Sequence, residues 1–221
     1  MRDTLTKREV EDFLRSFRIM IQELINCTSN VEKIVEENKN NYKQINFIRP
    51  FLNHYVNLCY TQSVITISKL FAESEKRSFN KLLNKLENFT YDDELKAVLN
   101  QNKEKFEEGD VGEYDYLFKN KQEIKIEISR IRLELSKVEE ILNKIKSRRD
   151  SYYAHLDPSK QNEIEVETLS DLKICLNLAE EIFNKFFASL LNTTFIFNIC
   201  GIDDIIDLAK ESYIKSTENF E

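Results

Sequence analysis

The chain has 221 residues, 41% hydrophobic and 32% charged, with only three Gly and two Pro. So few turn residues exclude a strand-rich fold and favour an all-α bundle of long helices. A net charge of −7 excludes a whole-surface electrostatic grip on nucleic acid, and DNA is not an expected partner.

A chain of this length can bury a sizeable core within one domain. With no internal repeat, low-complexity tract or linker, residues 1–221 read as a single helical domain of about six to seven helices. The cysteines at 27, 59, 175 and 200 are far apart and flanked by apolar residues. They read as small buried thiols of a reducing compartment, forming neither a disulfide frame nor a zinc site. No apolar run has transmembrane length, and Met1-Arg2-Asp3 leads straight into a charged helical pattern. The expectation is a cytoplasmic protein with no membrane partner.

In chain order, Thr4 or Thr6 can cap a first helix. Its apolar side includes Val10, Phe13, Leu14, Phe17, Ile21 and Leu24, with a break expected near Thr28-Ser29-Asn30. The Asn-rich stretch 36–44 reads as a frayed end or loop. Pro50 fits the first turn of a second helix, whose buried face runs from Phe51 and Leu52 to Leu70 and Phe71. Ser74 to Arg77 interrupts the pattern, and Ser78 can cap a short helix carrying Leu82, Leu83 and Leu86. Residues 90–94 cap another, with Leu95, Val98 and Leu99. The acidic, glycine-containing stretch 107–116 reads as a solvated loop, since it lacks the alternating acids of a calcium site.

Next comes the most regular stripe of the chain: Ile124, Ile128, Ile131, Leu135, Val138, Leu142 and Ile145, spaced alternately by four and three. It predicts one helix over about 117–154, on the order of 55 Å long and the longest element of the bundle. The same count carries Arg149 and Tyr152 into the buried line. A guanidinium there needs a carboxylate, a phosphate or an opening to water, and Asp150 and Asp157 are nearby candidates. Pro158 should stop the helix at about residues 155–157. After a polar connector, Thr168 or Ser170 caps a helix with a broad apolar face ending in Phe183, Phe186 and Phe187. That aromatic end reads as core, with a dimer interface as its alternative use. Residues 193–199 are apolar and ambiguous, Gly201 marks a turn, and Asp203 caps a last amphipathic helix.

Residues suited to chemistry cluster only at 148–158. Gly-rich phosphate loops, His-Glu-x-x-His and Gly-x-Ser-x-Gly are all missing, so no cofactor is expected. With only His54 and His155 in the chain, no histidine-rich metal site is expected either, and His54 reads as an ordinary helix residue. Lys144, Lys146, Arg148 and Arg149 make the end of the long stripe basic, with no acid among them. One reading is a plain helix end, where cations complement the dipole and a histidine caps carbonyls. The other is RNA cleavage without metal. His155 can take the proton of a 2′-hydroxyl or protonate a leaving oxygen, and Arg149 can hold the phosphate as its charge grows.

Arg149-Asp150-Ser151-Tyr152-Tyr153-Ala154-His155-Leu156-Asp157 resembles the Arg-(Asn/Asp)-x-x-x-Ala-His-x-Asp signature of HEPN domains. More narrowly, it is similar to the abortive-infection, Abi-U-like HEPN group. The run Ile67 to Phe71 with Ser78 to Leu83 resembles the second-helix region of that group. The resemblance implies a helical HEPN fold and an endoribonuclease acting as toxin or phage-defence effector. It implies that two chains form a homodimer, bring two Arg/His motifs to one cleft, and leave a 2′,3′-cyclic phosphate. In that picture Arg149 and His155 are catalytic, and Asp150 holds the arginine or orients the histidine. Arg148 and Lys146 would bind RNA, and Tyr152 or Tyr153 would stack on a base. Some HEPN domains bind nucleotide, RNA or partner proteins without cutting, so a binding module is the competing class. An antitoxin or other protein partner stays open.

Overall fold

A computed structural model describes residues 3–107, 117–153 and 166–218. The fold is all-α. Helix α1 (Lys7–Asn40) is capped by Thr6, whose hydroxyl accepts from the Glu9 N–H. It runs without a break through the Thr28-Ser29-Asn30 cluster that predicted one. The Thr28 hydroxyl turns back onto the carbonyls of Leu24 and Ile25 and so competes with no neighbouring turn. The polar stretch expected to fray is helical to Asn40 because Glu37 is buried and anchored, at 2.8 Å from Lys210 and 2.7 Å from Asn41. A short α2 (Tyr42–Ile45) and a 3-10 turn (Asn46–Ile48) lead into α3 (Arg49–Phe71), which carries Pro50 in its first turn.

Ser78 caps α4 (Phe79–Asn88), as its position predicts. Between α4 and α5 (Asp93–Glu107) lies a feature with no sequence signal, a two-residue strand β2 (Thr90–Tyr91). It pairs in parallel with β1 (Thr4–Leu5), Thr4 opposite Thr90 and Leu5 opposite Tyr91. Next to this pair, one carboxylate serves two helix starts: Asp92 accepts from the Lys7 N–H at the head of α1 and from the Leu95 N–H in α5. The solvated loop expected at 107–116 lies outside the described residues beyond Glu107.

The single long helix expected over 117–154 is two helices and a wide turn. Asn120 caps α6 (Lys121–Lys137), and α7 (Glu139–Arg148) follows a break at Val138. At this point the Ser136 hydroxyl donates to the Leu133 carbonyl at 2.7 Å. Val138 then sits off helical geometry (φ −105°, ψ 9°), and α7 restarts with Glu139 and Glu140 in its first turn, where acids favour the helix dipole. The break hands the chain from one neighbour to another, since α6 packs on α4 whereas α7 packs on α3. With the stripe divided, α1 at 34 residues is the longest helix described.

Helix α8 (Leu169–Leu191) begins with a full capping box between Thr168 and Asp171. It ends at Asn192 in the left-handed conformation (φ 51°), which Asn tolerates better than most residues. Phe183 and Phe186 are fully buried and Phe187 nearly so, packed within the chain's own core with α1 and α3. Their alternative use as a dimer face is therefore closed. Residues 193–201 form no regular element. Phe195 and Phe197 pack on Phe183, while Ile196 and Ile199 face solvent.

This segment is held as a strap by a ladder of amides on α1. Gln22 exchanges hydrogen bonds with the backbone of Asn198, and Asn26 accepts from the Cys200 N–H. Asn30 accepts from the Ile202 N–H and donates to the Cys200 carbonyl. Cys200 is exposed on this strap and Cys27 only half-buried, so of the four expected buried thiols only Cys59 and Cys175 are buried. Last in the described chain, α9 (Asp203–Glu218) closes a small second cluster of Ile34, Ile45, Leu52, Ile202 and Ile206. Among the described residues no helix is long and apolar enough to cross a membrane.

Candidate functional site

Helix α7 is amphipathic up to Ile145, which is fully buried. Continuing the alternation of four and three makes Arg149 the next buried position. The structure instead buries Arg148, three residues on. Arg148 is the last residue of α7, three on from Ile145 and so on its face, and a π-helical turn, Arg149–Tyr153, begins directly after it. A π turn adds a residue to the helical circuit and often re-aims side chains at functional sites. The two adjacent arginines therefore occupy different environments.

Arg148 is a core residue. Its Nε donates to Glu167 Oε2 at 3.0 Å, with the two side chains 8% and 0% exposed. Glu167 also bears on Tyr60 of α3, whose hydroxyl is pushed up first by burial and then by that carboxylate. One turn earlier, Lys144 reaches Asp171 of the α8 capping box at 2.7 Å. Burial works against the ionised form of Asp171. The bonds from Lys144 and Thr168 outweigh it and hold this carboxyl below the usual range. These two ion pairs pin the end of α7 to the start of α8 and its lead-in.

Arg149 is half-buried and turned to a different surface. Its Nε and Nη2 both grip Asp150 Oδ1, at 2.8 and 2.7 Å, and the guanidinium side chain remains 24% exposed. Asp150 is itself 49% exposed, so the pair sits at a water-facing edge. Beside Arg149 opens a cleft of about 780 Å³ between the end of α3, the start of α4 and the α6–α7 break. Its apolar floor includes Ile67, Phe71, Leu142 and Ile145. The polar wall includes Ser68, Asn80, Asn84, Arg132, Asn143 and Lys146. Lys146 is exposed on the rim. Arg132 is committed to Glu87 and Asn84, which leaves Lys146 and Arg149 as the cations of the cleft most available to an anion.

Arg149, Asp150 and Lys146, neighbours in the sequence, all lie at this edge. Arg148, expected to touch RNA, lies behind them against Glu167. His155, Ala154 and Asp157 lie outside the described residues. So does the stacking role expected of Tyr152 and Tyr153, whose backbone closes the π turn. His54 is exposed on α3. The cleft's other wall went unnoticed as a site, although the stretches Ile67–Phe71 and Ser78–Leu83, singled out by resemblance, supply part of it. Among the described residues no cluster of three or more His, Cys, Asp or Glu is placed to hold a metal ion. A family model for the AbiU2 class of HEPN proteins matches residues 5–209. No curated protein and no solved structure matches the chain.

Proposed function

The chain belongs to the AbiU2 family of abortive-infection HEPN modules, and on that premise we propose that it is a metal-independent endoribonuclease, acting as a toxin or phage-defence effector in the cytoplasm. The observation that carries this reading is the division of labour between Arg148 and Arg149. One guanidinium is locked in the core, and its neighbour is braced by Asp150 at the mouth of a cleft with Lys146 on its rim.

In the proposed mechanism Arg149 binds the scissile phosphate and offsets the charge that grows on it. Asp150 fixes the guanidinium fork, which preserves its geometry for a planar, bidentate contact. His155 moves the proton, taking it from the 2′-hydroxyl or giving it to the leaving 5′-oxygen. Attack of the 2′-oxygen on phosphorus expels the 5′-oxygen and leaves a 2′,3′-cyclic phosphate. One histidine does not serve easily as base and acid in a concerted step, so the active form is a two-fold homodimer that brings two motifs together. An antitoxin is the natural further partner for such an activity.

The test is mixing. Arg149→Ala and His155→Ala chains, each inactive alone, are co-expressed and the heterodimer is isolated. A shared cleft predicts that the heterodimer's activity depends on which residues each chain lends to it. A wild type that cuts RNA while strictly monomeric at micromolar concentration sinks the composite site. A non-cutting nucleotide- or RNA-binding module is the second reading. Within that reading the cleft's carboxylates, Glu73 and Glu139, favour a mononucleotide over a polyanion, because they set negative charge beside the cations.

A further inference from the structure

The cleft beside Arg149 holds more polar chemistry than phosphate binding uses. Ser68 lies in the last turns of α3, lines the cleft and is 6% exposed, yet its hydroxyl has no hydrogen-bond partner among the described residues. A serine inside a helix usually returns its proton to a carbonyl one turn back. A buried hydroxyl that does neither is costly to keep and is better explained by a ligand that completes it. Asn143 and Glu139, on the first two turns of α7, line the same cleft and have no hydrogen-bond or ion-pair partner among the described residues. The apolar floor of Ile67, Phe71 and Leu142 offers a surface for the face of a ring. A volume of about 780 Å³ lies within the usual span for small-molecule sites, about 300–1,000 Å³.

We propose that this cleft is a single-nucleotide specificity pocket that selects a guanine base, with Glu139 reading its donor edge and Ser68 and Asn143 meeting its acceptors. This rests on the nuclease reading, which sets the nucleotide's phosphate at Arg149. The choice of base follows from hydrogen-bonding capacity. A carboxylate only accepts. Adenine and cytosine each present one donor beside an acceptor, and uracil presents one donor between two acceptors. Guanine alone presents two adjacent donors, N1–H and N2–H, which match the two oxygens of one carboxylate. The Ser68 hydroxyl and the Asn143 amide can then donate to guanine O6 and N7. Glu139 stands at the α6–α7 break, so the kink itself delivers the reader to the pocket. The negative charge of Glu139 opposes phosphate but suits a donor edge.

The experiment titrates 5′-GMP, AMP, CMP and UMP into the full wild-type chain by calorimetry and maps the cut sites in mixed-sequence RNA. GMP should bind at least about tenfold tighter than AMP, within what a bidentate base contact discriminates. Cuts should fall beside guanosine. Glu139 is exposed, so Glu139→Gln leaves the fold intact while bringing GMP to within about twofold of AMP. Equal binding of all four monophosphates, no binding at millimolar concentration, or an unchanged preference in Glu139→Gln overturns the pocket. RNA cut without base preference overturns it while leaving the nuclease standing. A chain that selects GMP but leaves all RNA intact does the opposite.

Discussion

Replacing Arg148 by Ala should lower the protein's stability through the core and not through the cleft. The Arg148–Glu167 pair is 3.0 Å long with side chains 8% and 0% exposed, so truncating the arginine takes its salt-bridge partner from a fully buried carboxylate. Breaking such a pair costs about 3–5 kcal/mol. For a chain of this size each kcal/mol moves Tm by about 2–4 °C, so the loss is roughly 6–20 °C. Arg149→Ala offers the internal comparison. That guanidinium is 24% exposed and its partner 49%, so the pair behaves as a surface salt bridge worth about 0–1 kcal/mol. Its Tm should fall by no more than about 4 °C, with RNA cleavage abolished. Differential scanning fluorimetry of the two variants beside wild type reads both numbers, and circular dichroism reports retained helix. An Arg148→Met/Glu167→Leu double variant should recover much of the loss, because an apolar pair of similar volume replaces two buried charges. An Arg148→Ala chain that melts within 2 °C of wild type, beside an unstable Arg149→Ala, refutes a core role for the Arg148–Glu167 pair.

RNA cleavage should persist in EDTA, and activity that vanishes with chelator and returns with magnesium rejects Arg/His chemistry. Asp171, held below the ordinary carboxylate value of 3.8 by Lys144 and Thr168, contributes stability that is present above that pH. This contribution is lost as the pH falls through the lowered folded value. The Tm gap between wild type and Asp171→Asn should therefore be open at pH 6 and narrow steadily below 3.8, and a gap independent of pH contradicts the assignment. Asn30→Ala removes the amide that bonds Tyr55, Cys200 and Ile202 and leaves a buried N–H unpaired, at about 1–3 kcal/mol. Limited chymotrypsin digestion should then cut at Phe195 or Phe197 in the loosened strap, and a digestion pattern identical to wild type argues against the ladder as its anchor.

Elements that announce themselves by apolar period and a cap were legible in the sequence. Thr6, Ser78 and Thr168 each cap the helix they precede, and Pro50 sits in the first turn of α3. Asp150, legible in the sequence as a candidate partner for Arg149, is paired with it. The α6–α7 break was not legible, because the alternation of four and three runs straight across Val138. The same uninterrupted count puts Arg149 in the core, whereas the buried arginine is Arg148, which at three residues from Ile145 shares its face. Gln22, Asn26 and Asn30 read as the polar side of an amphipathic helix. Nothing in their spacing says that a backbone segment about 170 residues away lies across them. The β1–β2 pair is too short to show alternation at all.

The amide ladder also sets a clock. Gln22 and Asn198 are 176 residues apart in sequence, so the strap that covers this part of α1 leaves the ribosome long after the helix it completes. At about 5–20 residues per second, α1 waits on the order of 10–35 s for its partner segment. Collapse of the residues already made takes microseconds. The nascent chain therefore passes through a long-lived form in which Gln22, Asn26 and Asn30 stand open to solvent. During that interval the emerging chain is most exposed to chaperones, to proteases and to the matching strap of a neighbouring copy.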